Sequence, residues 1–169
     1  MTFRNLYRKT AIALAVTGAL AGGQVIADDT DTLTVTAVVD ATCDITNVEV
    51  LNFGSLDLIN DATSSAEITW VCTNGFDTTI ALNGGRTGNI NNRNMLGSAN
   101  NDDLVYQLYT DAGLGTVFGD GANGSTVPAS GAGFGNPQTT TVYGEVLASD
   151  AQNVSADTYN DNVTVTITF

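Results

Sequence analysis

From residue 31 onward, apolar and polar positions alternate in short runs. In "DTLTVTAVVD", residues 31–40, Leu33, Val35, Ala37 and Val39 fall on one face, and Thr32, Thr34 and Thr36 on the other. A period of two is that of a half-buried strand. "CDITNVEVLNFG" carries Cys43 and Ile45, then Val48, Val50 and Leu51. The alternation changes phase at Thr46 and Asn47, which predicts a bend or bulge. "SLDLINDATSS" reads as a connection. "AEITWVC" alternates again, with Ile68, Trp70 and Cys72 on one face, and "TNGFD" is a turn signal. "TTIALNGG" turns Ile80 and Leu82 inward. "RTGNINNRNML" is polar and irregular, and "DLVYQLYTD" places Leu104, Tyr106 and Leu108 on one face. Residues 116–138 begin with a short apolar piece and continue as a glycine-rich loop, long enough to be mobile. "TTTVYGEVLA" is a further strand. "TYNDNVTVTITF" closes the chain as one strand, with Val163, Val165, Ile167 and Phe169 alternating against threonines. No helical periodicity of useful length follows residue 27.

About six or seven strands separated by turns predict an antiparallel β-sandwich of immunoglobulin-like proportions. The pattern begins on one amphipathic strand and closes on another. Each is a candidate sheet edge, and exposed edges invite pairing with other chains. Pattern alone leaves two arrangements open: the ends pair within one chain, or they pair between chains.

The first residues stand apart. "MTFRNLYRKT" holds Arg4, Arg8 and Lys9 without an acid, and "AIALAVTGALAGG" is apolar but short for a membrane span. Val25 and Ala27 sit three and one residues before Asp28, as at a secretory cleavage site. Residues 1–27 are therefore read as a signal peptide. All 18 acidic residues follow it, as do only Arg86 and Arg93 of the five basic ones, so residues 28–169 carry a formal charge of −16. Such a chain is repelled by phosphate backbones and anionic membranes, which argues against nucleic-acid binding and against membrane insertion once the leader is gone. Two cysteines in an exported chain, Cys43 and Cys72, read as one disulfide.

Chemistry beyond this is sparse. Without histidine, the acids and bases are carboxylates, tyrosines and two arginines, in no catalytic pattern; "TDAG" at 110–113 reads as a turn. No enzyme activity and no cofactor or metal is expected. "DDTD" at 28–31, "NNDD" at 100–103 and "DTYND" at 157–161 are oxygen-rich but lack the spacing of a calcium loop. A calcium-binding module is thus one alternative. A sugar-binding module is another, with Trp70 and Tyr143 as stacking candidates, although Trp70 alternates with core positions.

The ordered set signal peptide, alternating strand, Cys43, "LNFG", "ITWVCTNG", "TIALNGG", "RNM", "LVYQLYTD", "VYGEV" and terminal "TYNDNVTVTITF" resembles the spore coat protein U-like family, which includes the Csu-type pilins of archaic chaperone–usher systems. The resemblance covers essentially all of residues 28–169. It implies an incomplete immunoglobulin-like sandwich, residues 43–169, that lacks its last strand and is completed by donor-strand exchange. Residues 28–42 become a donor-strand extension, with Leu33, Val35, Ala37 and Val39 entering the groove of another copy. The groove would be bordered by Val163, Val165, Ile167 and Phe169. The implied partners are a periplasmic chaperone, an outer-membrane usher, and copies of itself or related pilins, head to tail. The implied role is that of a structural subunit of a surface pilus serving adhesion and biofilm formation. A spore-coat or other extracellular coat protein of the same fold is the alternative within the family.

Overall fold

A computed structural model describes residues 28–169; the predicted signal peptide lies outside them. The chain divides into two units, the second running over Val38–Phe169. Of the first, residues 28–37 belong to no strand and are exposed throughout. Leu33 is 86% exposed and Val35 82%. The strand predicted at residues 31–40 is thus in no ladder. Alternation makes a segment fit for a sheet, but only a neighbour's N–H and C=O groups make it a strand.

The second unit is all-β, with strands β1 (Cys43–Val48), β2 (Ala62–Cys72), β3 (Asp77–Leu82), β4 (Arg93–Gly97), β5 (Asp103–Tyr109), β6 (Val127–Ser130), β7 (Gln138–Val146), β8 (Tyr159–Asn160) and β9 (Val165–Thr168). One sheet has the order β1-β2-β7-β5-β4-β8 and the other β6-β3-β9, with every pairing antiparallel. Ile68, Trp70 and Cys72 of β2, Leu104 and Leu108 of β5, and Val142 and Val146 of β7 face Ile80 and Leu82 of β3 across a single core. The sandwich expected from the alternation is what forms. Trp70 is part of this core, and its indole N–H donates to Thr140 Oγ1 at 3.1 Å. The register of β1 on β2 slips between Ile45 and Asn47, where the phase change predicts a bulge.

Cys43 and Cys72 are disulfide-bonded, pinning the start of β1 to the end of β2. Closing a loop across 29 positions restricts the unfolded chain and contributes about 3.5 kcal/mol. Thiol titration of denatured, unreduced protein should find essentially no free thiol. Reduction should lower the free energy of unfolding by about that amount, read from urea melts with and without reductant.

Three parts differ from the sequence reading. The glycine-rich stretch is not one mobile loop: Phe118 is fully buried and β6 pairs with β3. Its glycines allow chain segments to pass closely, as at Gly131, where a Cβ would lie 2.1 Å from the Thr73 carbonyl oxygen. The polar run before Met95 hides a strand that begins at Arg93, which is fully buried. The terminal strand is two strands: β8 pairs with β4 in the large sheet, and β9 pairs with β3 in the small one. Nine strands therefore form among the described residues, against the six or seven expected.

Candidate functional site

The two sheets leave an open seam along one side. Among the described residues, β1 is an outer strand of the large sheet and pairs only with β2, and β9 is an outer strand of the small sheet and pairs only with β3. Each therefore carries a free row of backbone donors and acceptors. Natural sheets ordinarily protect such edges with charge, proline or a covering loop. The β9 sequence, "VTIT", has neither charge nor proline.

Beside this seam lies a cleft of about 340 Å³. Val48, Val50, Leu51 and Phe53 line one wall, Tyr159, Val163 and Val165 the other, and Ile68, Leu82, Met95, Leu108 and Val142 form the floor. The lining is mainly apolar. Val48 is half exposed and Val50 is 85% exposed, so this wall lacks cover. Leu51 and Phe53 reach over β7 at Gly144, where a Cβ would come within 2.9 Å of both. Any larger residue there would push this wall outward.

The opposite wall is set by polar contacts. Asp161 lies in the crossover between β8 and β9. It accepts the Arg86 backbone N–H at 2.8 Å and the Tyr106 hydroxyl at 2.6 Å. Burial, then the Asp161 contact, push the Tyr106 hydroxyl well above its ordinary pKa, so it remains a donor. Asn83 pairs with Thr164 on both sides: its N–H donates to the Thr164 carbonyl at 3.1 Å, and its Oδ1 accepts the Thr164 N–H at 2.9 Å. Arg93 in turn holds Asn83. Its Nε and Nη2 donate to the Asn83 carbonyl at 3.1 and 2.7 Å, Nη2 also to the Phe118 carbonyl at 2.8 Å, and Nη1 to Gln107 Oε1 at 2.6 Å. Burial pushes the Arg93 pKa down from its usual range. That range lies so high that the group stays charged at neutral pH. Sequence reading missed Arg93 as a site-shaping residue. The one hint was a cation in phase with Met95.

The cleft brings together Val163 and Val165 of the residues expected at the groove. Ile167 packs against the core. Phe169 is 55% exposed and lies edge-on to Phe76, with ring centroids 6.3 Å apart, rather than in the cleft. The apolar residues of the N-terminal segment, Leu33, Val35 and Val39, are each more than 80% exposed.

Two of the oxygen-rich runs act as turn caps. Asp157 accepts the N–H groups of Ala99 and Asn100, and Asp102 accepts that of Ser155. Asp57, Asp111 and Asp120 cap turns in the same way. Hydrogen bonding to the ionised form lowers the pKa of all five; Asp57 reaches about 2, chiefly through the Asn60 N–H. A carboxyl lowered on folding stabilises the native state fully above its unfolded pKa, about 3.9, and loses that contribution as pH falls through the folded value. With no histidine in the chain, no side chain with an ordinary pKa titrates between about pH 5 and 8. Stability should therefore be nearly flat across that range and fall progressively from about pH 4 towards 2, as read by thermal melts in a pH series.

The Spore Coat Protein U domain model matches residues 29–166, most of the chain. The chain belongs to this family. The domain is also 39% identical over 85 residues to Protein U of Myxococcus xanthus, covering 50% of this chain and 45% of that protein. It therefore spans less than half the length of that relative. Among solved structures, it resembles the CsuC–CsuE chaperone–tip adhesion subunit pre-assembly complex from the archaic chaperone-usher Csu pili of Acinetobacter baumannii. The TM-score is 0.55 at 21% identity, over 78% of this chain and 40% of that one. A chaperone–tip adhesin complex of CFA/I fimbriae scores 0.43 at 15% identity, over 76% and 42%. At 21% identity the likeness to the Csu complex speaks for the fold alone.

Proposed function

We propose that this Spore Coat Protein U domain is a structural subunit of an extracellular pilus. The N-terminal segment of one copy would complete the open seam of the next. One observation carries the reading: among the described residues, an alternating apolar segment has no strand partner, and an apolar cleft is bordered by two strand edges with no partner. Each supplies what the other lacks. Main-chain hydrogen bonds to β9 and β1 give affinity, and alternate side chains give register. Leu33, Val35, Ala37 and Val39 form the inward set. Burying them contributes roughly 5–8 kcal/mol before ordering costs.

Such a contact joins one surface to a different one, so it does not close on itself and builds an open fibre. In this reading residues 1–27 direct export and residues 28–42 are the donor strand. A periplasmic chaperone covers the seam first, an outer-membrane usher exchanges it for the next subunit, and the fibre serves attachment and biofilm formation. The role is mechanical rather than catalytic. The family match equally suits an extracellular coat built by the same exchange. Locating the assembled protein on a vegetative surface or in a coat layer separates the two.

The test is a cross-link. Val35→Cys and Val165→Cys, introduced together, should yield disulfide-linked ladders between copies under mild oxidation. Thr34→Cys with Val165→Cys should yield few, because residue 34 lies on the other face. Linkage confined within single chains, or equal ladders from both pairs, would contradict the proposal.

A further inference from the structure

A chain that carries both a strand and the seam to receive it faces a choice between its own seam and another's. The choice turns on residues 40–42, where the N-terminal segment joins β1. These residues lie beyond the last ladder pair of β1 with β2, Cys43 with Cys72. One residue, Thr73, takes over where the ladder stops. The Thr73 hydroxyl accepts the Thr42 N–H at 3.0 Å and presents its own hydrogen to the Asp40 and Thr42 carbonyls at 3.2 and 3.3 Å. The Thr73 backbone N–H donates to the Thr42 carbonyl at 3.0 Å. In an extended strand, the N–H and C=O of alternate residues face the same side. Asp40 and Thr42 can both meet Thr73 only while the run between them stays extended. The adjacent Cys43–Cys72 disulfide fixes Thr73 against this run.

We propose that Thr73 is a specificity-determining residue that commits the N-terminal strand to a second copy of the chain instead of its own seam. The inference rests on the strand-insertion reading above. The chain's own seam runs alongside β1, so self-insertion requires the strand to double back beside Cys43. The tightest reversal is a hairpin, and its loop would fall on residues 40–42, which Thr73 holds straight. A reversal further upstream places Ala37 and Val39 in the turn and leaves only Leu33 and Val35 of the apolar set to insert. The local sequence "VVDAT" also lacks the glycine or Asn-Gly of tight hairpin loops, and its two valines resist positive φ.

The experiment uses the full chain, expressed with its own N-terminus and recovered from the periplasm of a host without dedicated partner proteins. The protein is unfolded with its disulfide intact and refolded by dilution. Thr73→Val removes the hydroxyl at nearly constant shape; Thr73→Ser keeps it. Comparison is restricted to material with native circular dichroism and no free thiol. Size-exclusion chromatography gives the ratio of monomer to oligomer. Uptake of a synthetic peptide of residues 31–40 shows whether the monomer's seam is open. Thr73→Val should raise the monomer-to-oligomer ratio about tenfold, equivalent to about 1.4 kcal/mol of lost hydrogen bonding. Its monomer should refuse the peptide, and Thr73→Ser should match the parent. An unmoved ratio in Thr73→Val, or a Thr73→Ser chain that shifts with it, overturns the proposal. Val35→Asp, with Thr73 retained, tests the reading beneath it. Loss of oligomers there with no change in Thr73→Val removes only the Thr73 assignment, whereas unchanged oligomers in Val35→Asp remove strand insertion itself.

Discussion

Val35→Asp is expected to abolish fibre assembly while leaving the Val38–Phe169 unit folded. Val35 is 82% exposed in the isolated chain, so the new carboxylate meets only water there and costs the subunit nothing. It acts at the moment of insertion. An unpaired carboxylate carried into an apolar cleft costs several kcal/mol, comparable to the whole gain from docking the four apolar side chains. The strand then stays undocked. Thr34→Asp adds the same charge one residue away, on the face that remains in water, and should leave assembly nearly intact. The measurements are the periplasmic level of each variant, the yield of surface fibres, and the resistance of those fibres to detergent. The contrast also separates inter-chain from intra-chain pairing: were the strand part of its own subunit's sandwich, Val35→Asp would unfold the monomer and protein would be lost. Normal fibres from Val35→Asp, or equal damage from both substitutions, would end the donor-strand reading.

The second large effect is expected at Arg93. Its guanidinium is fully buried, and it holds the carbonyls of Asn83 and Phe118 and the side chain of Gln107. Arg93→Met keeps much of the volume and removes every donor. The Asn83 and Phe118 carbonyls then lose these donors, while Gln107 Oε1 keeps the Leu108 N–H at 2.9 Å; each buried acceptor left unsatisfied costs about 1–3 kcal/mol. Urea unfolding should show that loss. A second consequence is local. Arg93 positions Asn83, Asn83 positions Thr164, and Thr164 leads into β9. The β9 amides should therefore exchange hydrogen faster in Arg93→Met than those of β7, by more than the global loss explains. Arg93→Lys supplies one ammonium where a planar fork made contacts in several directions, and should recover only part of the stability. A loss below about 1 kcal/mol in Arg93→Met would show that the carbonyls find other partners.

Much of the body was legible from alternation alone. β2, β5 and β7 lie where apolar residues recur at every second position, because a strand buried on one face imposes that period on any sequence that forms it. The bulge in β1 was legible for the same reason: an extra residue must break the phase. The disulfide followed from an even cysteine count and a leader-like N-terminus. The cleft was less accessible. Of the four terminal residues expected along it, Val163 and Val165 line it, while Phe169 lies against Phe76 instead. Period two assigns a face to a side chain but does not say what lies opposite that face.

What the sequence by itself determined is therefore whatever depends on near neighbours: the strands, their inward faces, the turns at Asn-Gly, and the unusual fact of amphipathic runs at both ends. Tertiary structure alone decided what depends on residues far apart in the chain. The run after residue 158 changes sheets because Asp161 meets Tyr106 and Arg86, and Thr164 meets Asn83. The glycine-rich stretch yields β6 because β3 offers it an edge, and Arg93 is buried because the Asn83 and Phe118 carbonyls and the Gln107 side chain converge on it. A hydrogen bond depends on the position and direction of its partner, and only the folded chain brings those partners within reach.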